Sequence, residues 1–77
     1  MRIKVFGGLK DYFEPTFELE TKAETISELR SVLSRINPDS QGLLGKCRFA
    51  IGNVIVTEQF SLHTIEEVVV MPPSSGG

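Results

Sequence analysis

The residues best suited to chemistry stand at the end of this sequence, where Gly76-Gly77 closes an uncharged segment. A terminal di-glycine indicates that the carboxylate of Gly77 is the reactive group, because residues without a Cβ can follow a channel too narrow for a side chain. Two glycines can equally well end a frayed terminus. The surroundings of the di-glycine therefore have to decide between a reactive and an inert tail.

The segment before the di-glycine favours the reactive interpretation. The predicted tail consists of Pro72, Pro73, Ser74, Ser75, Gly76 and Gly77. Six extended residues span about 20 Å, which is enough to carry the carboxylate into a pocket of another protein. The two prolines restrict the backbone and so lower the entropy lost when the tail is threaded. Because no charged residue follows Glu67, only the terminal carboxylate needs a counter-charge when the tail is buried.

The rest of the sequence contains no recognisable catalytic constellation. Cys47 is the only cysteine, and it occupies an apolar position in an alternating segment, where a free thiol behaves as a small hydrophobic group. His63 is the only histidine, and we interpret it as a solvated loop residue because no hydrolase arrangement surrounds it. Ser74 and Ser75 lack an adjacent base. No metal site and no bound cofactor are therefore expected.

Two further pairs of residues receive structural interpretations. Glu66-Glu67 precedes an apolar run and is predicted to be a solvated turn rather than a contact for a cationic partner. Gly7-Gly8 follows a predicted strand, but the other residues of a dinucleotide-binding or P-loop motif are missing. We therefore interpret Gly7-Gly8 as a tight turn.

The size and charge of the chain limit the classes of function. Seventy-seven residues suffice for one domain, which we predict at residues 1–71, with a flexible functional tail at residues 72–77. The net charge is −2, and basic residues are scattered from Arg2 to Arg48, which argues against nucleic-acid binding. The N-terminus has no signal-peptide pattern, and no apolar stretch reaches membrane-spanning length. A cytoplasmic location without membrane contact is expected.

The first two strands are predicted from alternation. Ile3 and Val5 alternate with charged residues, and so do Phe17 and Leu19. A loop through residues 11–15 separates the two segments, which therefore form an antiparallel hairpin with a longer connection.

A single amphipathic helix follows, from about Thr25 to Ile36. Its apolar residues recur at helical spacing, and they are Ile26, Leu29, Val32, Leu33 and Ile36. Thr25 and Glu28 form a capping box at its start. Asn37-Pro38 ends it, because proline disfavours helical geometry in the residue before it.

The second half of the sequence predicts three more strands. Residues 38–46 are polar and contain glycine, so they are predicted to be a loop. Cys47, Phe49 and Ile51 mark an alternating strand, and Gly52-Asn53 turns the chain into a short strand at residues 54–56.

The segment between residues 57 and 67 is irregular, and its apolar residues are predicted to contact the core. These anchors are Phe60, Leu62 and Ile65. Residues 68–71 form a continuous apolar run, which predicts an interior strand that the chain covers on both faces or that a partner covers on one. The element order predicts an α+β fold in which a mixed sheet of four to five strands packs on one helix.

Element order, length and ending together resemble the sulfur carriers of the MoaD/ThiS type, which are small β-grasp proteins with a ubiquitin-like fold. The resemblance covers essentially the whole chain. Its most specific part is the run Glu-Glu-Val-Val-Val-Met-Pro-Pro-Ser-Ser-Gly-Gly over residues 66–77. This ending is similar to that of the small subunits of molybdopterin synthase, whose Pro-Pro-x-x-Gly-Gly tail separates them from the thiamine branch.

The resemblance implies a carboxylate that carries sulfur. An E1-like adenylating enzyme would use ATP to join the carboxylate of Gly77 to AMP, and a sulfur donor would then leave a thiocarboxylate. In the large subunit of molybdopterin synthase, that sulfur would build the dithiolene that holds molybdenum. The chain itself would act as a stoichiometric sulfur donor, and the acid-base residues would belong to the partner.

Three other functions share some of these features. A ubiquitin-like modifier would be activated in the same way and joined through Gly77 to lysines of other proteins. A sulfur carrier could also serve another pathway, such as the synthesis of thiamine or of a tungsten cofactor. A β-grasp interaction domain with an inert tail is the fourth alternative.

The partner surface is expected to be an apolar patch continuous with the tail. It includes Met71, with Phe49 and Phe60 as candidate contacts. Phe6 and Phe13 are further candidates if they are exposed, since five phenylalanines exceed the evident need of one small core.

Overall fold

A computed structural model describes residues 1–73 of the chain. Five strands form one mixed sheet in the order β2-β1-β5-β3-β4. Their bounds are β1 Arg2–Val5, β2 Thr16–Glu18, β3 Arg48–Ile51, β4 Val54–Val56 and β5 Glu67–Met71. β5 runs parallel to β1, and the other neighbours are antiparallel. The predicted α+β fold is confirmed, and it is that of a β-grasp domain.

The N-terminal hairpin is confirmed, but its connection is more ordered than predicted. β1 pairs with β2 in the register Ile3↔Phe17. A 3₁₀ helix, Gly7–Asp11, occupies the first part of the connection and buries Leu9. Gly7 therefore starts this helix instead of a simple turn, and it has a φ of +57°, a conformation that favours glycine.

The predicted helix is confirmed as α1, Ile26–Ile36. The side chain of Thr25 accepts a hydrogen bond from the backbone N–H of Glu28 (3.2 Å). The carboxylate of Glu28 accepts in return from the N–H of Glu24 (3.3 Å), one residue before the position in a standard capping box. Ile36, predicted to face the core, is 51% exposed because it lies in the last turn of the helix.

The prediction of a loop at residues 38–46 is wrong. A 3₁₀ helix, Pro38–Ser40, leads into a one-turn helix α2, Gln41–Leu44. The side chain of Asn37 caps this segment by accepting from the N–H of Asp39 (3.1 Å), and Pro38 stands where its missing N–H costs nothing. Burial of Leu44 holds the turn on the core, an effect that the local composition did not reveal.

The C-terminal half forms the predicted hairpin and the predicted interior strand. Gly52 has a φ of +60°, as the first position of a two-residue hairpin turn allows. β5 is the central strand of the sheet. Val68 and Val70 are fully buried whereas Val69 is only half-buried, so the described chain covers one face of β5 and leaves the other partly open.

The core lies between the sheet and α1. Leu62 is buried, and Phe60 and Ile65 pack against the core, as predicted for the irregular segment. The buried cluster consists of Ile3, Val5, Leu9, Ile26, Leu29, Leu33, Leu44, Cys47, Phe49, Leu62, Val68 and Val70. Within residues 1–73, no helix has both the length and the apolar character needed to cross a membrane.

Candidate functional site

The described part of the candidate site is the point where the tail leaves the domain. We call it the tail base and define it as Phe6, Gly7, Met71 and Pro72. Ser74, Ser75, Gly76 and Gly77, for which threading and carrier roles are predicted, lie outside the described residues. Pro73 is described and is exposed.

The tail follows β5, a strand that is paired with β1 on one side and with β3 on the other. Val70 lies opposite Val5 of β1, and Met71 lies opposite Arg48 of β3. The tail therefore leaves from the last residue of a strand that has a neighbour on each side. Because a central strand is held by two ladders of hydrogen bonds, its end has a well-defined position relative to the rest of the domain.

The turn after β1 touches the first residue of the tail. A Cβ built on Gly7 would lie 2.7 Å from Cγ of Pro72, so the Gly7 backbone lies directly against the proline ring. On its other side, a Cβ on Gly8 would lie 3.5 Å from Cδ2 of Leu43. The glycine pair is thus placed between α2 and the tail.

Phe6 supplies the exposed apolar surface of the tail base. Its backbone is extended (φ −129°, ψ 167°) and continues β1, so alternation places its side chain on the face opposite Val5. Phe6 is 47% exposed. Since Val5 is in register with Val70, the next residues on the two strands, Phe6 and Met71, are neighbours.

The expectation of a partner contact at Phe49 is corrected by the structure. Phe49 is 1% exposed, because it lies on the helix-covered face of β3 between the core strands. Phe60 and Phe13 are half-buried and pack on the core, and Phe13 also stacks on Phe17 with the ring centroids 5.7 Å apart. Among the phenylalanines, Phe6 alone is exposed.

Charged residues border the open face of the sheet near β1 and β5. Glu67, predicted to lie in a solvated turn, is instead the first residue of β5. Its carboxylate lies 3.6 Å from a guanidinium nitrogen of Arg2 and 3.9 Å from Nζ of Lys4. Arg2 also pairs with Glu18 at 3.3 Å. All four side chains are substantially exposed, so these pairs contribute little to stability.

Cys47 is a core residue, as predicted. Its thiol donates a hydrogen bond to the carbonyl oxygen of Leu43 (3.3 Å). Burial raises the pKa of the Cys47 thiol, and the positive charge of Arg30 opposes that rise only in part. The group is therefore a protonated thiol at neutral pH and a poor nucleophile.

The sequence reasoning did not single out Arg30, which makes the most polar contacts in the described chain. Its guanidinium pairs with the carboxylate of Glu58 through two nitrogens, one of them at 3.1 Å. It also donates to the carbonyl oxygens of Leu44 and, at 3.0 Å, Cys47. It lies 4.7 Å from the ring centroid of Phe49, within cation-π distance. We call this group the Arg30 anchor.

The four residues of the tail base have no titratable side chain. His63 is exposed, and residues 1–73 contain no group of three or more acidic, histidine or cysteine side chains that could hold a metal ion. What the tail base provides is a point of departure for the tail at the end of the central strand, next to an exposed aromatic ring.

Comparison with known proteins identifies the family. A sequence model of the ThiS family matches residues 3–77, while no curated protein gives a match. ThiS-family proteins are small sulfur carriers, generally without catalytic activity, that work with adenylating E1-like enzymes and sulfur-accepting partners. Because the match takes in the sheet, the helix and the tail, this chain belongs to the ThiS family, which covers sulfur carriers of the MoaD/ThiS type.

Proposed function

We propose that this chain is the sulfur carrier subunit of molybdopterin synthase, and that the carboxylate of Gly77 carries the sulfur. An E1-like enzyme joins this carboxylate to AMP from ATP and releases pyrophosphate. A sulfur donor then displaces AMP and leaves a thiocarboxylate. In the large subunit, the sulfur attacks the pyranopterin precursor, and two rounds of transfer build the dithiolene. We also propose a cytoplasmic location, because activation consumes ATP.

The observation that carries this proposal is the exit of the tail from the central strand. β5 has a neighbour on each side as far as Val70 and Met71, and the chain continues directly into Pro72-Pro73. A proline disfavours the helical conformation in the residue before it, so Pro72 is restricted toward an extended backbone. This geometry favours a tail that reaches away from the domain and into a partner.

The composition of the tail supports the molybdopterin branch of the family. The run Pro-Pro-Ser-Ser-Gly-Gly over residues 72–77 has the double proline that carriers of the thiamine pathway generally lack. The uncharged spacer also fits a buried channel, since only the terminal group would need a counter-charge there.

The tail base is the docking surface in this proposal. Phe6 and Met71 are neighbours on the open face of the sheet, and Pro72 is half-buried beside them. An aromatic side chain at an interface contributes a large apolar area at a low entropic cost. We therefore propose that the large subunit covers Phe6, Met71 and Pro72 when it takes up the tail.

The first experiment tests the carrier chemistry. The purified chain is incubated with its cognate E1-like enzyme, ATP and a sulfur donor, and its intact mass is measured. We expect one terminal oxygen to be replaced by sulfur. A chain that lacks Gly76-Gly77 should remain unmodified while it unfolds at nearly the same temperature. An unchanged mass in the full chain with an active cognate enzyme would overturn the proposal.

The second experiment tests the pathway. The thiocarboxylated chain is offered separately to a molybdopterin synthase large subunit with the pyranopterin precursor and to a thiazole synthase with its substrates. We expect the sulfur to leave Gly77 only with the large subunit. Transfer only to the thiazole synthase would assign the chain to the thiamine pathway. Isopeptide-linked adducts without a detectable thiocarboxylate would instead indicate a protein modifier.

A further inference from the structure

Two separate features of the structure require glycine at residue 7. Its φ of +57° lies in a region that other residues rarely adopt. In addition, a Cβ at this position would lie 2.7 Å from Cγ and 3.6 Å from Cδ of Pro72. Ordinary contacts begin at about 3.4 Å, so a side chain at residue 7 and the ring of Pro72 cannot both keep their places.

Gly52 shows that the second requirement does not follow from the first. Its φ of +60° is nearly the same, yet a Cβ built on it would meet no atom within 4 Å. The hairpin turn therefore needs glycine for its backbone conformation alone. At Gly7 the backbone also lies directly against the ring of Pro72.

The turn that contains Gly7 is held in place by the core and by α2. Leu9, two residues on, is fully buried, and Leu43 of α2 stands against Gly8. The backbone N–H of Leu9 also donates to the carbonyl oxygen of Phe6 (3.3 Å). Because the core fixes this turn, a clash at residue 7 would be relieved mainly by movement of Pro72.

We propose that Gly7 is a positioning residue that sets the direction in which the tail leaves the domain. The inference rests on the proposed function, in which the tail is threaded into a pocket of an enzyme. Gly77 is the fifth residue after Pro72, which is about 16 Å for a tail threaded in an extended conformation, so a small rotation at Pro72 would move the carboxylate of the threaded tail much farther. Reacting groups tolerate little displacement, and about 1 Å can reduce a rate about a hundredfold.

The test compares Gly7→Ala with the matched variant Gly52→Ala. Both variants place a side chain at a positive φ, but only the first meets Pro72. Adenylation of the chain by the cognate E1-like enzyme is measured at varied concentrations of the carrier, with thermal unfolding as a check on folding. We expect Gly7→Ala to lower kcat at least about tenfold with a smaller change in KM, and Gly52→Ala to leave both near the wild-type values.

A rescue variant separates the contact from backbone strain. Pro72→Ala removes the ring atoms that the new Cβ would meet, so adding Gly7→Ala to Pro72→Ala should change kcat by less than about twofold. Adding it to the wild type should cost the full tenfold. Equal losses in the two backgrounds would mean that strain, and not the contact with Pro72, is responsible, and would overturn the inference.

The outcomes distinguish a failure of the inference from a failure of the proposed function. If the wild type is adenylated and Gly7→Ala is adenylated equally well, Gly7 does not position the tail. If the cognate enzyme does not adenylate the wild type, the proposed function fails. In that case nuclear Overhauser effects between the Hα protons of Gly7 and the ring protons of Pro72 test the contact, and their absence overturns it.

Discussion

The Arg30 anchor and the tail base are held together in different ways. Arg30 is 20% exposed at its side chain and pairs with Glu58 while donating to two carbonyl oxygens. The side chains of the tail base make only apolar and steric contacts within residues 1–73, chiefly the ring of Pro72 against the Gly7 backbone, and Phe6 is 47% exposed.

This difference separates stability from recognition. Removing one partner of the Arg30 anchor leaves partly buried polar groups without hydrogen bonds, which is costly. Removing the ring of Phe6 exposes little that was buried, because this side chain is already 47% exposed. The anchor should therefore control unfolding, and the tail base should control partner binding.

The largest effect on stability is expected from Arg30→Ala. The substitution removes the charged donor of the Leu44 and Cys47 carbonyls together with the pair to Glu58, and we expect a loss of about 2 kcal/mol. Urea unfolding measures it. Arg35→Ala is the matched control, because Arg35 is exposed on the same helix and makes no ion pair within residues 1–73; it should change stability by less than about 0.5 kcal/mol. Equal losses in the two variants would contradict the assignment of the anchor.

Phe6→Asp should affect binding instead of folding. A carboxylate in a docked apolar surface loses its hydration without a counter-charge, so affinity for the proposed partner, the large subunit, should fall at least about tenfold, which is about 1.4 kcal/mol. Isothermal titration measures the affinity. Ile36→Asp, at a residue 51% exposed on the far end of α1, should leave binding unchanged. If both substitutions weaken binding alike, the tail base is not the docking surface.

Thr25→Ala tests whether a general loss of stability disturbs the tail base. The variant removes the side chain that caps α1 through the N–H of Glu28, and it should cost about 1 kcal/mol in urea unfolding. Binding to the proposed partner should not change. Thr25→Ser keeps the capping oxygen and should retain most of the stability. A parallel loss of binding in Thr25→Ala would show that the two regions are coupled.

The smallest effect concerns alkaline pH and belongs to the Arg30 anchor. Because burial raises the pKa of the Cys47 thiol above the ordinary value of 9.0, the unfolded chain loses this proton at a lower pH than the folded chain does. The resulting stabilisation is complete below pH 9.0 and disappears as pH rises through the folded pKa. The stability difference between the wild type and Cys47→Ala should therefore shrink above pH 9.0 in urea unfolding. A difference independent of pH would mean that the thiol titrates normally.

Local patterns predicted most of the secondary structure. Alternation gave both hairpins, and helical spacing with Thr25 and Asn37-Pro38 gave α1 nearly to the residue. The misses depend on tertiary packing that a local pattern does not show. Gly42 and Gly45 led to the prediction of a loop in place of α2, and this helix depends on burial of Leu44. Ile36 fits the helical stripe, but it lies where the helix extends beyond the core.

The candidate site was only partly predictable. The tail was evident from its composition, and Met71 stands beside it in the chain. Phe49 and Phe6 look alike in sequence, since each lies in or next to a strand, yet one is buried and the other exposed. They differ in the face of the sheet on which they lie, because the helix covers the face of Phe49 and not that of Phe6. The roles of Arg30 and Gly7 depend on contacts with Glu58 and Pro72, which are far from them in sequence.

The sequence by itself determined the five strands, α1 and the uncharged di-glycine ending, because strand alternation, helical periodicity and proline stiffness act over a few neighbouring residues. The tertiary structure decided the position on the domain from which the tail leaves. Parallel pairing of β1 with β5 brings the first turn of the chain beside its last strand, and no local pattern encodes the partner of a parallel strand. That pairing places Phe6 beside Met71 and sets Gly7 against Pro72.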